Sequence, residues 1–218
     1  MAIEYEFKYK ADYDTLVAIN ISHPEKASVI EMETVYFDTP TGAYADRYYT
    51  LRRRKENDKY ICTLKTPAVA EEKEWKTEIS AQYSHPQAPN YLTGSARNEW
   101  EVECERIEDA FSLLVKKGAP KEVWELAANE GLIGICGAKF TRISRTVKLR
   151  NSVVETDIDS GFLFGGGKSE PFYELEFEIK SGDKTEAGRY ISNIAIQYQL
   201  EKEPLSKFAR ALKLYRGE

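Results

Sequence analysis

Charged residues occupy every second position in several short segments of this sequence. In Glu4-Tyr5-Glu6-Phe7-Lys8 they alternate with aromatic residues, and a period of two is typical of a β-strand with one polar and one apolar face. Carboxylates are the ligands that hard divalent cations prefer, and lysine binds phosphate oxygens as a point charge. A strand face of this composition could therefore bind a metal ion together with a phosphate group.

Further segments show the same alternation, each with its own charge. Arg52 and Arg54 share one face of a predicted hairpin, and Thr63 and Lys65 share one face of its second strand. A later face carries both charges, on Arg97, Glu99 and Glu101. Another is acidic and consists of Glu174, Glu176 and Glu178. Any one of these could be an ordinary solvated sheet surface. As a set they favour a bound ligand, because like charges two residues apart repel unless something bridges them.

A closed sheet would bring these faces together. Its inward side chains can converge on a lumen in which carboxylates hold a divalent cation and arginine and lysine hold a polyanion. The apolar faces would then point outward and be covered by helices. A chain of phosphates is the ligand that suits such a lumen best, because it accepts both arginine contacts and a bridging metal ion.

The elements that must position these residues follow from the hydrophobic pattern. Strands are predicted over 3–9, 31–38, 50–55, 59–65, 96–104, 139–150, 153–158 and 172–180, and helices over 12–21, 107–117, 121–131, 184–198 and 204–215. Gly165-Gly166-Gly167 lacks the spacing of a phosphate-binding loop and is predicted to be a hairpin turn. The chain therefore consists of two strand-rich halves joined by helices.

Composition restricts the class of protein. The 218 residues suit one domain, predicted to span 1–218, and the formal net charge of −5 disfavours a general nucleic-acid-binding surface. Three cysteines without CxxC spacing and only two histidines make a zinc site improbable, and free thiols indicate a reducing compartment. The sequence shows no secretion signal and no apolar run of membrane-spanning length. We therefore expect a cytoplasmic protein without a membrane or nucleic-acid partner.

The motifs follow a recognisable order along the chain. After the E-x-E-x-K segment at Glu4, Glu6 and Lys8 come Tyr36-Phe37-Asp38-Thr39, Leu51-Arg52-Arg53-Arg54, Thr63-Leu64-Lys65, Arg97-Asn98-Glu99-Trp100-Glu101, Glu155-Thr156-Asp157-Ile158-Asp159-Ser160-Gly161, Tyr173-Glu174-Leu175-Glu176-Phe177-Glu178 and Ser206-Lys207-Phe208-Ala209-Arg210. Together they resemble the triphosphate tunnel metalloenzyme family, also called the CYTH family, over nearly the whole chain. The resemblance is strongest to bacterial inorganic triphosphatases.

The resemblance implies an α+β fold, an eight-stranded antiparallel β-barrel that forms a tunnel with a charged lumen and has helices packed outside. It also implies Mg²⁺ or Mn²⁺ as cofactor and a triphosphate or polyphosphate as substrate. The residues expected to be catalytic are Glu4, Glu6, Lys8 and Glu176. Those expected to bind substrate are Lys8, Arg52, Arg54, Lys65, Arg97, Arg145, Lys207 and Arg210. Those expected to bind metal are Glu4, Glu6, Glu99, Glu101, Asp159, Glu174, Glu176 and Glu178.

Three points qualify this set. Residues 66–96 form an insertion or an extended connection, and Glu74, Lys76 and Glu78 within it are a rival to 97–101 as the strand that faces the lumen. Arg142 does not share a face with Arg145 in a regular strand, so only Arg145 is included. Some bacterial relatives with similar motifs append a helical CHAD domain, whereas this sequence ends at Glu218. We expect it to act alone or with another chain, a homodimer included.

The same motifs are compatible with several functions. Hydrolysis of inorganic tripolyphosphate by in-line attack of water on the terminal phosphate is the first expectation. The alternatives are a class IV-type adenylate cyclase, a thiamine triphosphatase, and a module that binds polyphosphate without catalysis. Phosphate-binding motifs do not distinguish these functions, because each function needs the same contacts to a chain of phosphates.

Overall fold

A computed structural model describes residues 2–67 and 95–218 of the chain, with the side chains of 5–67 and 97–218. Within these ranges it contains nine β-strands, all in one sheet. Their bounds are Ala2–Lys10 (β1), Ser28–Asp38 (β2), Thr50–Glu56 (β3), Lys59–Pro67 (β4), Ser95–Glu103 (β5), Ile133–Lys148 (β6), Ser152–Gly165 (β7), Lys168–Gly182 (β8) and Glu201–Lys202 (β9).

Five α-helices lie in the same ranges. They are Tyr13–Ser22 (α1), Ile107–Lys116 (α2), Lys121–Glu130 (α3), Lys184–Gln197 (α4) and Lys207–Arg216 (α5). Side chains of Asp12, Asp183 and Ser206 accept backbone N–H groups at the starts of α1, α4 and α5, which satisfies donors that the first turn leaves without partners. No helix in the described part is long and apolar enough to cross a bilayer.

The sheet is antiparallel and curls around a central space. The strand order is β5-β4-β3-β2-β6-β7-β8-β1-β9, and β5 also pairs with β1, from Ala2 opposite Glu99 to Glu6 opposite Ser95. This pairing joins the two ends of the run of eight long strands. The two-residue strand β9 only extends the edge of β1 at Tyr9 and Lys10. The predicted α+β class and antiparallel tunnel are confirmed, with one short strand beyond the eight expected.

The outer face of the sheet is apolar and covered by helices. Tyr5, Phe7 and Tyr9 of β1 pack with residues of β7, β8, α1 and α4 in one buried cluster. A second cluster joins Leu51, Leu64 and other outward residues of β3, β4 and β5 to α2 and α3. Burial of side chains this large is the main force holding helices against a sheet.

Helix α5 occupies a different place. Its Phe208 and Ala211 are buried with Phe140 and Phe172, and Phe140 lies on the same face of β6 as the charged residue two positions on, Arg142. Helix α5 therefore covers part of the inner face of the sheet, whereas α1 to α4 pack on the outer face. This arrangement brings the side chains at the start of α5 to the charged lumen.

Strands β6, β7 and β8 are longer than the sequence pattern predicts. The segment that begins β6 contains Gly134 and Gly137 and does not alternate in the usual way. At Gly137 a Cβ would lie 2.3 Å from the Thr34 carbonyl oxygen and 2.4 Å from the Phe164 ring. Glycine is required there because the neighbouring strands approach closely, although in the sequence a glycine at this position disfavours a strand.

Candidate functional site

A cavity of about 110 Å³ lies inside the curled sheet, and most of the residues around it are charged. Each of the strands β1 to β8 contributes residues to the cavity lining, as does the start of α5. The lining residues are Glu6, Lys8, Thr34, Tyr36, Thr50, Arg52, Arg54, Lys65, Arg97, Phe140, Arg142, Asp157, Glu176, Glu178, Ser206, Lys207 and Phe208. Period-two alternation explains the composition, because the apolar neighbours of these residues point outward.

One wall of the cavity is basic, with carboxylates behind it. Arg52 Nη2 lies 3.8 Å from Glu99 Oε1 and 3.7 Å from Glu101 Oε1, and Lys65 Nζ lies 3.4 Å from Glu99 Oε1. Register places Glu99 opposite Lys65 and Glu101 opposite Thr63. Arg54 is in contact with Glu56. Burial and then repulsion by Arg52 lower the pKa of Arg54. A bound anion would offset this repulsion and stabilise the charged form of both arginines.

The opposite wall is formed by β1 and β8. Glu6 lies across from Glu178, and Lys8 lies across from Glu176. Lys8 Nζ is 3.9 Å from Glu6 Oε1, a distance that leaves a weak ion pair rather than a hydrogen bond. Glu6 and Glu178 line the cavity together, so this wall presents carboxylate oxygens to the same space that the basic wall faces.

A dense ionic network lies between these walls and helix α5. Lys207 Nζ is 2.8 Å from Asp159 Oδ2 and 2.7 Å from Glu176 Oε1, and it also contacts Glu174. Arg142 donates to Asp159 through Nε at 2.7 Å and Nη2 at 2.6 Å. Its guanidinium also contacts Glu176 at 2.5 Å. The two cations therefore share two carboxylates.

Physical chemistry accounts for the charge states in this network. Burial alone would raise the pKa of Glu176, but Lys207 and Arg142 outweigh it and hold the pKa well below its usual range. Burial likewise opposes the charged form of Lys207, yet Asp159 and Glu176 raise its pKa. Each buried charge is thus stabilised by hydrogen-bonded opposite charges, the condition for ion pairs in a protein interior.

This chain also matches a known protein family over most of its length. A model described as the CYTH domain matches residues 2–212. The chain belongs to the CYTH family. A curated relative, the inorganic triphosphatase of Haemophilus influenzae, is 23% identical over 179 residues, which are 82% of this chain and 44% of the relative. The CYTH chain therefore spans less than half the length of that relative.

Solved structures share the fold with low sequence identity. A Hippeastrum protein, described as a candidate adenylyl cyclase with a dominant triphosphatase activity, has a TM-score of 0.60 at 18% identity, covering 99% of this chain and 96% of its own. A Pyrococcus horikoshii protein has a TM-score of 0.57 at 18% identity, covering 96% and 98%. A candidate adenylate cyclase from Bacillus halodurans has a TM-score of 0.52 at 16% identity, covering 94% and 96%. At these identities the likeness concerns the CYTH fold.

Most of the residues predicted for the site converge in this CYTH domain. Those that line the cavity or contact its walls are Glu6, Lys8, Arg52, Arg54, Lys65, Arg97, Glu99, Glu101, Glu176, Glu178 and Lys207. The backbone of Glu4 pairs with Arg97, but its side chain lies outside the described part of the chain. The rival residues Glu74, Lys76 and Glu78 also lie outside it.

Arg145 is the predicted residue that the structure places elsewhere. Its guanidinium donates to the backbone oxygen of Glu25 at 3.3 Å and to the side chain of Asn20, so it fixes the end of α1 to the outer face of the sheet. Arg142, three residues earlier and therefore on the other face, lines the cavity instead. The structure thus places Arg142, and not the predicted Arg145, on the inner face of the sheet.

Arg210, Asp159 and Glu174 lie behind the cavity rather than on its lining. Arg210 contacts Glu174, and its Nη1 lies 3.7 Å from Glu203 Oε2. Asp159 and Glu174 are fully buried. Asp157, which the sequence reasoning did not select, lines the cavity beside them, and Arg142 Nη1 lies 2.7 Å from its Oδ2. Asp157 lies two residues before Asp159 and so shares its face of the strand, and this spacing was the signal in the sequence that could have identified it.

The acidic residues near the cavity differ in how well they fit a divalent cation. Asp159, Glu174 and Glu176 each offer an oxygen, and these oxygens lie within 4.8 Å of one another. Lys207 Nζ already lies among them, at the distances given above, so this arrangement does not fit a metal ion. Glu6 and Glu178 fit better, because they are carboxylates on adjacent strands that face the cavity and so supply the oxygen ligands that Mg²⁺ and Mn²⁺ prefer.

Proposed function

We propose that this chain hydrolyses a triphosphate, with inorganic tripolyphosphate as the first candidate substrate, in a divalent-metal-dependent reaction. The observation that carries the proposal is the convergence of cations from four strands on one cavity that also presents carboxylates. The cations are Lys8, Arg52, Arg54, Lys65 and Arg97. Family membership and the activity of the Haemophilus influenzae relative agree with it.

The basic wall would hold the phosphate chain. Arg52 and Lys65 contact Glu99 at 3.8 and 3.4 Å, distances longer than those of charge-assisted hydrogen bonds. Phosphate oxygens could form shorter contacts with the same cations. Because charge shifts among the phosphoryl oxygens in the loose transition state, cations held in place by a rigid sheet stabilise that state with little reorganisation.

The acidic wall would hold the metal ion. Glu6 and Glu178 are its described ligand candidates, with Glu4 retained from the sequence for the same role. When bound, Mg²⁺ or Mn²⁺ supplies Lewis-acid polarisation of phosphate oxygens. Glu6 and Glu178 would also orient the attacking water, and Arg52 and Arg54 would keep the terminal phosphate facing it.

A second candidate reaction is the cyclisation of ATP, because two structural relatives are described as candidate cyclases. The described cavity favours hydrolysis of an inorganic substrate. Its aromatic residues Tyr36 and Phe208 pack against each other, with ring centroids 5.1 Å apart, and Phe140 packs against Phe172. These rings are engaged in the core and offer no parallel pair for a purine to enter.

The experiment that tests the proposal is a substrate panel. Tripolyphosphate, pyrophosphate, ATP and thiamine triphosphate are incubated with the protein and Mg²⁺, Mn²⁺ or EDTA, and phosphate and cyclic AMP are measured. We expect the highest kcat/KM for tripolyphosphate, with orthophosphate released and no turnover in EDTA. Cyclic AMP as the main product would establish the cyclase, and preference for thiamine triphosphate would change the substrate. Tight polyphosphate binding without turnover would indicate a binding module.

A further inference from the structure

The ammonium group of Lys207 has the surroundings of a specifically bound cation. Three carboxylates converge on it: Asp159 at 2.8 Å, Glu176 at 2.7 Å, and Glu174 in direct contact. An ammonium group has three donors and so can give one hydrogen bond to each carboxylate. The number of donors matches the number of acceptors, and the contacts have the short distances of charge-assisted hydrogen bonds.

The remaining walls of this site are aromatic. Lys207 Nζ lies 5.3 Å from the ring centroid of Phe140 and 5.3 Å from that of Phe172. The faces of aromatic rings attract ammonium and guanidinium groups. A Mg²⁺ ion instead needs an octahedron of oxygen ligands at about 2.0–2.1 Å and retains several waters. Rings on two sides exclude those waters, so the surroundings suit an ammonium group better than a divalent cation.

The charge of the cluster is nearly balanced without a metal ion. Among the described residues, Asp157, Asp159, Glu174 and Glu176 form ion pairs with three cations. These cations are Arg142, Lys207 and Arg210. A divalent ion at the centre would stand within a few ångströms of Lys207 and Arg142, and the repulsion would expel the lysine.

The rest of helix α5 holds Lys207 in this position. Ser206 caps the helix by accepting the Ala209 N–H at 3.0 Å, and Phe208 and Ala211 are buried in the inner cluster. A Cβ on Gly165 would lie 2.6 Å from the Ala211 carbonyl oxygen, so the β7–β8 hairpin approaches the helix at backbone distance. The backbone from which the Lys207 side chain extends is therefore held in place beside the carboxylates.

We propose that Asp159, Glu174 and Glu176 form a socket for the Lys207 ammonium that anchors the C-terminal helix on the inner face of the sheet, and that they do not form the divalent-metal site. The socket is defined by these three carboxylates and the rings of Phe140 and Phe172. The inference does not depend on triphosphate hydrolysis. It assigns Asp159, Glu174 and Glu176 to helix anchoring, in place of the metal-binding role expected for all three from the sequence.

Two variants on strand β8 give a matched test. Glu174→Gln and Glu178→Gln remove one charge each from the same face of the same strand, the first from the socket and the second from the proposed metal site. Glu178→Gln should weaken Mn²⁺ binding at least about tenfold and leave hydrogen exchange in 207–216 unchanged. We expect Glu174→Gln to accelerate amide hydrogen exchange in 207–216 at least about tenfold, because a buried partner is lost. Its dissociation constant for Mn²⁺, followed by the electron paramagnetic resonance of free Mn²⁺, should stay within about twofold of wild type. Lys207→Met should accelerate the same amides, whereas Lys213→Met, an exposed lysine on the same helix, should not.

Wild-type protein gives a second measurement that needs no variant to fold. Hydrogen exchange of 207–216 should be the same in EDTA and in saturating Mn²⁺, because the ammonium stays in the socket. The proposal is overturned if Mn²⁺ changes exchange in this helix tenfold, if Glu174→Gln weakens Mn²⁺ binding tenfold, or if Glu174→Gln leaves the helix amides as protected as in wild type. None of these readouts involves phosphate release, so failure of the proposed hydrolysis would be recognised separately.

Discussion

The guanidinium of Arg142 and the carboxylate of Asp159 form a two-point contact between adjacent strands, with Nε–Oδ1 at 2.7 Å and Nη2–Oδ2 at 2.6 Å. The two residues are direct neighbours in the β6–β7 register. Fork geometry of this kind is specific to arginine, because lysine offers one point charge. The pair therefore connects the ionic network inside the sheet with the pairing of strands β6 and β7.

Removal of Arg142 should destabilise the protein strongly. Arg142→Met leaves Asp157, Asp159 and Glu176 with one fewer cation in a buried site, and we expect a loss of about 3–5 kcal/mol in the free energy of unfolding. Urea denaturation monitored by circular dichroism measures it. Arg145→Met is the matched comparison, because it removes hydrogen bonds to Asn20 and the Glu25 backbone on the outer face and should cost about 1–3 kcal/mol. Equal losses would contradict the assignment of Arg142 to the network.

Substrate affinity should separate two adjacent arginines. Arg54 lines the cavity, whereas Arg53 lies over the ring of Tyr60 at 5.2 Å and donates to the backbone of Glu105. Arg54→Ala should raise KM for tripolyphosphate about 10–100-fold, the effect of losing one hydrogen bond to a charged group. Arg53→Ala should leave KM within about twofold. Initial-rate kinetics decide the point, and a larger effect at Arg53 would reverse the assignment of the two faces.

Asp157 should make stability depend on pH. Burial raises its pKa to about 7, against a partial lowering by Arg142, whereas an unfolded aspartate has a pKa of about 3.9. Between these values the folded state retains a proton that the unfolded chain has lost, so the contribution of Asp157 to stability falls as pH rises from 4 to 7. Asp157→Asn lacks this contribution.

The check for Asp157 is urea denaturation of both proteins in EDTA at pH 5 and pH 7. We expect the wild type to lose on the order of 1–2 kcal/mol more than Asp157→Asn over this interval. Parallel pH profiles for the two proteins would show that Asp157 ionises normally.

Asp38 should be required for the loop after β2. Its buried carboxylate accepts the backbone N–H groups of Thr39 at 2.7 Å, Tyr44 at 2.8 Å and Ala45 at 3.1 Å. Asp38→Ala should lower the free energy of unfolding by about 2–4 kcal/mol, since several buried donors lose a charged acceptor. Thermal denaturation measures the loss. The exposed Asp58→Ala is its control, and a change at Asp38 no larger than at Asp58 would refute this role.

Strand alternation was sufficient to predict the charged inner face, because a residue's parity fixes its side of a sheet. Glu6, Lys8, Arg52, Arg54 and Glu176 line the cavity on that basis. Parity did not predict that α5 would cover the inner face. The sequence of α5 has the same amphipathic pattern whichever face it meets, and only the position of Phe140 and Phe172 among inward residues decides where Phe208 packs.

The choice between Arg142 and Arg145 was likewise not available from one strand alone. Both are arginines in the same strand, and the inward phase of β6 depends on its register against β2 and β7. Lys207 shows a further limit. Lys207 lies near three carboxylates in space but is far from all three in sequence, so the socket follows from the tertiary fold.

The most direct test of the account is the rate of phosphate release from tripolyphosphate by Glu6→Gln at saturating substrate and metal. Glu6 faces the cavity, and Glu33, an exposed residue of β2, provides the control Glu33→Gln. We predict that Glu6→Gln lowers kcat at least about 100-fold, the usual effect of removing a group on which metal-assisted transfer depends, and that Glu33→Gln retains wild-type kcat. A Glu6→Gln variant that is folded and releases phosphate at the wild-type rate would contradict the proposed function.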